Sequence, residues 1–221
     1  MAMLRKTCVD VVLPVSWRGW TTDDLRKSLF ALARQEMRGL RWRVMVVDGS
    51  CSDFVAAMSL AILGEGKLCY EPALLKTRAL SDLYYQGVSA SRSTYLAYIE
   101  PGRDWDSEQL LRLVGTAKKT KVDGKKVDMV AEGNIRARVD WLSDRPDALF
   151  PLLGCEILHT REIYDRTSGW PRRRNDGSTF RLEQWRNMVY AGAELHAIAR
   201  PFVPSSKWTD ETKRATLFSD A

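Results

Sequence analysis

The chain has 221 residues, 45% hydrophobic and 28% charged, which excludes a disordered segment and leaves room for a substantial core. Lys and Arg total 34 against 28 Asp and Glu, and the net charge of +6 favours an anionic partner without choosing between a nucleotide, a phosphate-rich surface and nucleic acid. No apolar run reaches the roughly 18–20 residues that span a bilayer, and segment 1–6 is too short and polar for a signal peptide. Cys8, Cys51, Cys69 and Cys155 show neither a CxxC pair nor zinc spacing, so reduced, mostly buried thiols and a cytoplasmic location are expected.

Val9-Asp10-Val11-Val12-Leu13-Pro14-Val15 predicts a first strand, closed by a proline that cannot continue a ladder. Thr21-Thr22-Asp23-Asp24 then offers a capping hydroxyl with carboxylates in the first turn. Leu25, Leu29, Leu32 and Ala33 recur at helical spacing, so a helix is expected over 22–38, stopped by Gly39. The next strand, over 42–48, contains Val44-Met45-Val46-Val47 and reads as buried on both faces, which points to a parallel or mixed sheet. It ends in Asp48-Gly49-Ser50, a turn composition at the carboxyl edge, where open α/β sheets bind ligands. A carboxylate there can accept hydrogen bonds from a ribose hydroxyl or a base N–H. Equally, Asp48 can turn the chain while Asp53 caps the helix that follows.

A second helix is expected over 53–63, a short strand over 67–71, and a loop with a helical turn over 72–86. Gly87-Val88-Ser89-Ala90-Ser91-Arg92 reads as the opening of a helix whose free N–H groups face an anion. A fourth strand, over 95–100, runs into Pro101-Gly102-Arg103-Asp104-Trp105, and Ser107 is expected to cap a helix reaching about residue 118. The basic link 118–126 is best read as a solvated helix end and loop. Strands are expected over 127–132 and 134–139, then an apolar segment over 149–158 and a basic loop over 172–178. A helix over 182–191 and a strand over 194–200 precede a polar, loosely held tail. His159 and His196 lack metal spacing and read as structural histidines.

With these segments in place, the chain resembles the family 2 glycosyltransferases, inverting nucleotide-sugar enzymes with a GT-A fold. The opening Val-Val-Leu-Pro-Val is similar to that family's Val-Val-Ile-Pro-Thr strand, and Val46-Val47-Asp48-Gly49-Ser50-Cys51-Ser52-Asp53 to its Val-Val-Asp-Asp-Gly-Ser-Thr-Asp signature. Gly87 to Arg92, followed by Tyr98-Ile99-Glu100-Pro101-Gly102-Arg103-Asp104-Trp105, resembles Gly-Val-Ser-Ala-Ala-Arg-Asn and Phe-Leu-Asp-Pro-Asp-Asp. Ser168-Gly169-Trp170 and Leu182-Glu183-Gln184-Trp185 echo the family's Gly-Gly-Phe and later Glu-Asp. The order and spacing of these fragments, across about residues 9–200, carry the resemblance.

The resemblance implies a single GT-A-like (Rossmann-like) α/β domain over 1–205, a central mixed, mainly parallel sheet flanked by helices, and a C-terminal tail over 206–221. It implies transfer of a sugar from a nucleotide-diphosphate sugar to a glycan, lipid-linked or protein acceptor, with Mn2+ or Mg2+ as cofactor. Pro14, Val15 and Asp48 would line the base and ribose, and Arg92 would approach the diphosphate or brace the metal-binding carboxylate. Glu100 stands at the first position of the DXD metal motif. The second carboxylate is replaced by Gly102, with Asp104 the nearest substitute. Gln184 stands where the catalytic Asp usually stands, which leaves Glu183 and Asp176 as candidate bases. Those departures define the alternative, a catalytically lapsed GT-A domain that binds nucleotide or scaffolds a glycosylation complex. Nucleic acid is disfavoured as a partner, since no aromatic residues interleave the basic stretches; peripheral membrane contact through the basic loops is a further expectation.

Overall fold

A computed structural model describes residues 8–37, 39–73, 77, 79–122, 124–133, 156–170 and 179–199. Its centre is a seven-stranded sheet in the order β3-β2-β1-β4-β8-β7-β9. The strands are β1 (Cys8–Val15), β2 (Arg41–Asp48), β3 (Leu68–Pro72), β4 (Tyr95–Tyr98), β7 (Met129–Gly133), β8 (Glu156–Thr160) and β9 (Leu195–Ala199). A short antiparallel ribbon pairs β5 (Lys121–Val122) with β6 (Lys125–Lys126). β1, β2, β3 and β4 are parallel, β8 runs against β4 and β7, and β9 is parallel to β7. The mixed, mainly parallel sheet expected from the sequence is therefore present.

Alternation along the strands divides the core into two layers. Val9, Val11, Leu13, Val15, Val44 and Val46 face α1 (Thr22–Ala33), α2 (Asp53–Leu63) and α4 (Gln109–Lys119). Val12, Val47, Leu96 and Tyr98 face α3 (Leu80–Ala90), α5 (Arg161–Asp165) and α6 (Thr179–Tyr190). Both faces of β1 and β2 are thus covered, which is why their sequences read as continuous apolar runs.

Several elements differ from expectation for identifiable reasons. α1 ends at Ala33 because Gln35 leaves the helix to bridge two elements: its amide nitrogen donates to Ala31 O and Asp106 O, and its oxygen accepts from Leu110 N–H. The N-cap of α4 is Glu108 rather than Ser107, and Asp106 Oδ1 accepts the Glu108 N–H at 3.0 Å. Residues 80–90 form a full helix, and Gly87 lies in its last turn rather than opening a new one. There it lets α3 approach the sheet: an added Cβ would sit 2.6 Å from Val12 Cγ1 and 2.9 Å from Val47 Cγ2. Cys8 and Cys69 are half-buried free thiols, whereas Cys51 is exposed. The strand expected over 134–139, Cys155 and the tail lie outside the described residues. Among those described, no helix is long and apolar enough to cross a membrane.

Candidate functional site

Two groups of residues meet at the carboxyl edge of the parallel strands. The first is the β2–α2 turn. Val15 pairs with Asp48, and Pro14 with Val47, so the three residues expected at a base and ribose lie side by side at the ends of β1 and β2. Asp48 is wholly buried and heavily bonded. Its Oδ1 accepts from Ser50 N–H at 2.8 Å and from the Ser50 hydroxyl, and its Oδ2 from Ser52 N–H at 3.0 Å and the Tyr70 hydroxyl at 2.6 Å. Burial, followed by the Asp48 carboxylate itself, raises the pKa of Tyr70 and keeps that hydroxyl a donor. A ligand reaching Asp48 has to displace one of these donors.

The turn is tightly woven. Gly49 N–H donates to Val15 O, Thr77 N–H to Gly49 O and Trp17 N–H to Thr77 O, tying the loops after β1 and β2 to the residues just ahead of α3. A Cβ on Gly49 would lie 2.9 Å from Thr77 O, so only glycine allows that approach. Cys51 has φ 52°, a left-handed conformation that a side chain disfavours, within the same turn. Trp17, joined to this network through its N–H, is 40% exposed, with the Arg18 guanidinium 4.8 Å from its ring.

The second group is centred on Glu100, just past the end of β4. Its Oε1 accepts from the Tyr84 hydroxyl of α3 at 3.0 Å and lies 3.1 Å from Arg181 Nη1 of α6. Glu156 opens β8, and because that strand is antiparallel its beginning reaches this edge; extending the β4–β8 register by two residues sets it beside Ile99. Burial raises the pKa of the Glu156 carboxyl, opposed chiefly by Arg103, then by the Trp105 indole and Arg181. The Trp105 N–H leans toward Glu156 without reaching hydrogen-bond geometry. Below the Glu100 group lies an aromatic layer. Trp170 stacks on Tyr84 with centroids 4.8 Å apart and meets Tyr98 and Trp185 edge-on, while the Tyr98 hydroxyl contacts buried His159 Nε2 at 2.6 Å.

Other expected site residues lie elsewhere. Arg92 follows the last turn of α3, two residues before Thr94, whose N–H donates to Cys8 O. This is the amino edge of the sheet, so Arg92 is at the wrong end of the strands to approach a diphosphate at the carboxyl edge. The resemblance rests here on the Gly87 to Arg92 motif, and in this chain that motif is the end of a helix, α3, rather than the start of one. Glu183 is displaced for a different reason. Gln184, Trp185 and Met188 form the buried face of α6 and Arg181 lies next to it, while at 100° per residue Glu183 lies about 160° round the helix from Arg181. Glu183 is therefore on the opposite face of α6 from the arginine that pairs with Glu100. Gln184 is buried, with its amide nitrogen 3.3 Å from Thr167 Oγ1, and holds α6 to the turn after α5. Asp176 lies outside the described residues.

The DXD-like loop does not form the expected cation site. Glu100 follows Tyr98 on the α3 and α6 side of the sheet. Asp104 pairs with Arg34 at 2.9 Å, beyond the end of α1 on the other side. Gly102 between them carries no carboxylate, and its φ of +91°, with Asp24 Oδ1 3.1 Å from where a Cβ would sit, makes a side chain there strained. Two unit charges 4 Å apart interact by roughly 4 kcal/mol at an effective dielectric constant near 20, so a divalent cation at that distance from Arg181 meets about twice that repulsion. Glu100 and Asp104 do not fit Mn2+ or Mg2+, which take several convergent oxygens. Among the described residues, no group of three or more His, Cys, Asp or Glu side chains could hold a metal ion.

Arg181, Tyr84, Tyr70 and Glu156 were not legible as site residues. Arg181 falls just ahead of the helical pattern expected over 182–191, and Glu156 lies within an apolar segment whose strand direction has no local sequence marker.

No protein-family model matches the sequence, and no curated protein matches it. Solved structures do match in fold. Residues covering 88% of this chain superpose on 59% of S. aureus TarS 1-349 with a TM-score of 0.64 at 12% identity. The same protein in complex with UDP-GlcNAc matches over 92% of this chain and 62% of its own, with a TM-score of 0.63 at 11% identity. The mannosyltransferase PcManGT from Pyrobaculum calidifontis, in complex with GDP-Man and Mn2+, matches over 92% of this chain and 59% of its own, with a TM-score of 0.62 at 16% identity. The chain therefore spans about three fifths of the length of these neighbours. At such identities the likeness is one of architecture: the chain has the α/β fold of the GT-A-type nucleotide-sugar glycosyltransferases.

Proposed function

We propose that this chain is a glycosyltransferase that moves a sugar from a nucleotide-diphosphate sugar to a hydroxyl acceptor with inversion. The observation that carries the reading is the placement of the Val15–Asp48 strand ends and the Glu100–Arg181 pair at one carboxyl edge, in a fold shared with proteins solved with GDP-Man and UDP-GlcNAc. In this reading the β2–α2 turn shapes the base and ribose pocket, and the diphosphate extends toward the end of β4. The acceptor oxygen bonds to the anomeric carbon as the bond from that carbon to the β-phosphate oxygen breaks. The nucleoside diphosphate leaves with the electron pair, and the hydroxyl proton passes to a protein carboxylate. Glu156 and Asp176 are the two carboxylates to test in that role, Glu183 being turned away. The acceptor class, whether glycan, lipid-linked or protein, is set by residues beyond this edge.

A second reading, a nucleotide-binding domain without transfer activity, is favoured by one observation: the position expected of the base holds Gln184, buried and bonded to Thr167. Incubating the full chain with a panel of nucleotide sugars and following nucleoside diphosphate release separates the two. Transfer predicts release above the protein-free rate, reduced roughly 10²–10⁴-fold in either Glu156→Gln or Asp176→Asn while nucleotide binding persists. Binding without release supports the second reading, and absence of any nucleotide binding overturns both.

A further inference from the structure

We propose that the Arg181 guanidinium supplies the positive charge at the donor's diphosphate, so that nucleoside diphosphates bind this protein without a divalent cation. The inference rests on the nucleotide-sugar reading above and specifies how that site meets its anion.

Four observations carry it. Arg181 Nη1 sits 3.1 Å from Glu100 Oε1, at the position where the resemblance puts a metal ligand, so the carboxylate is already matched by a fixed cation. The Tyr84 hydroxyl binds the same oxygen at 3.0 Å and holds Glu100 toward α6. Gly102, at a positive φ, leaves the second carboxylate position without a ligand, and Asp104 pairs with Arg34 at 2.9 Å on the opposite side of the sheet. Finally, Arg181 Nε is buried without a hydrogen-bond partner, which leaves the guanidinium with donor capacity that Glu100 does not use. A guanidinium presents several N–H donors in a plane and binds phosphate oxygens in pairs, so it can hold a diphosphate by geometry as well as charge. Tyr84 then serves as a positioning residue: when the diphosphate draws Arg181 away from Glu100, its hydroxyl still donates to that carboxylate. Arg103, whose N–H donates to Glu100 O at 3.2 Å, adds a second basic residue to the same loop.

The test is calorimetric titration of the full chain with UDP, GDP, ADP, CDP and dTDP, each in EDTA and in manganese chloride. At least one is expected to bind with affinities within about threefold in the two conditions. Arg181→Met should weaken that binding about tenfold or more in EDTA, the scale of a lost charge-assisted hydrogen bond. Manganese should restore part of the loss, because Glu100 is then free of its guanidinium. Arg181→Lys, which keeps the charge, should lose less and guards against a folding defect in the methionine variant. Electron paramagnetic resonance of Mn2+ added to the nucleotide-free protein should show the signal of the free ion. Wild-type binding that appears only with manganese, stoichiometric uptake of Mn2+ by the apo protein, or unchanged affinity in both Arg181 variants would overturn the inference and leave the glycosyltransferase reading standing. If no member of the panel binds in either condition, the nucleotide-sugar reading itself fails, and this inference with it.

Discussion

Asp48 holds its turn together by accepting from two backbone N–H groups and two hydroxyls, with no surface exposed to solvent. Removing its carboxylate therefore strands several buried donors, and a lost ligand contact in such a variant cannot be told from a collapsed turn. Tyr70→Phe separates the two roles. It deletes one donor to Oδ2, which should lower unfolding free energy by about 1–2 kcal/mol, and it frees that oxygen for a ribose or base. If a nucleotide meets Asp48 directly, Tyr70→Phe should keep or raise nucleotide affinity while the urea midpoint falls. A fall in both, in a folded variant, would assign Tyr70 itself to the ligand. Sequence pattern was sufficient to single out Asp48, since a carboxylate ending a buried strand before Gly-Ser is a local signal. The identity of its partner was not, because Tyr70 arrives from β3, 22 residues away.

At the scale of elements, α3 is the case where local reading and packing disagree. A glycine followed by small residues suggests a loop or a helix start, yet Gly87 is there because Val12 and Val47 leave no room for a Cβ. Gly87→Ala gains roughly 1 kcal/mol in helix propensity but overpacks two β-branched side chains, which costs about 1–3 kcal/mol. The net change should be destabilising, and adding Val12→Ala should recover part of it; urea unfolding of the single and double variants checks both. Equal stability of Gly87→Ala and wild type would mean that α3 can move off the sheet. The neighbouring helices were easier to read. Residues 53–63 were expected to be helical, as α2 is, because its boundaries are marked by Ser52-Asp53 and Gly64. α1 overran in the reading because Gln35 acts through α4, a tertiary contact that helical periodicity does not reveal.

For the molecule as a whole, the central parallel strands were legible from their unbroken β-branched runs, whereas the reversal at β8 was not. Antiparallel and parallel neighbours carry the same apolar side chains, so direction is decided by the connections. The same reversal buries His159 between Tyr98 and Tyr164, with ring centroids 5.4 and 5.9 Å away. Burial holds its pKa down at about 4. In the unfolded chain a histidine titrates near 6.5, so above roughly that pH the ring is neutral in both states and contributes nothing to pH dependence. Below it the unfolded chain binds the proton first, and stability falls with pH until the loss levels off below about 4, at roughly 3 kcal/mol in total. Urea unfolding at about pH 7 and about pH 5 should differ by roughly 2 kcal/mol more in wild type than in His159→Gln. Parallel behaviour of the two proteins would mean that the ring is protonated in the folded state.

The pairing of Glu132 with Glu156 has a consequence for how this fold can change over time. One strand ends at Gly133 and the other begins at Glu156, so these two strand ends lie side by side at the carboxyl edge of the sheet. Whatever length separates them, the two ends are already held together by the β7–β8 ladder. Doubling a flexible connection adds only about 0.6 kcal/mol of closure cost. A change in the number of residues between these strand ends therefore adds little closure cost to the ladder, and both ends lie at the edge where, in the proposed reading, an acceptor arrives. If the chain is the transferase proposed above, a lineage can try new acceptors there while the turn around Asp48 and the pair at Glu100 stay unaltered.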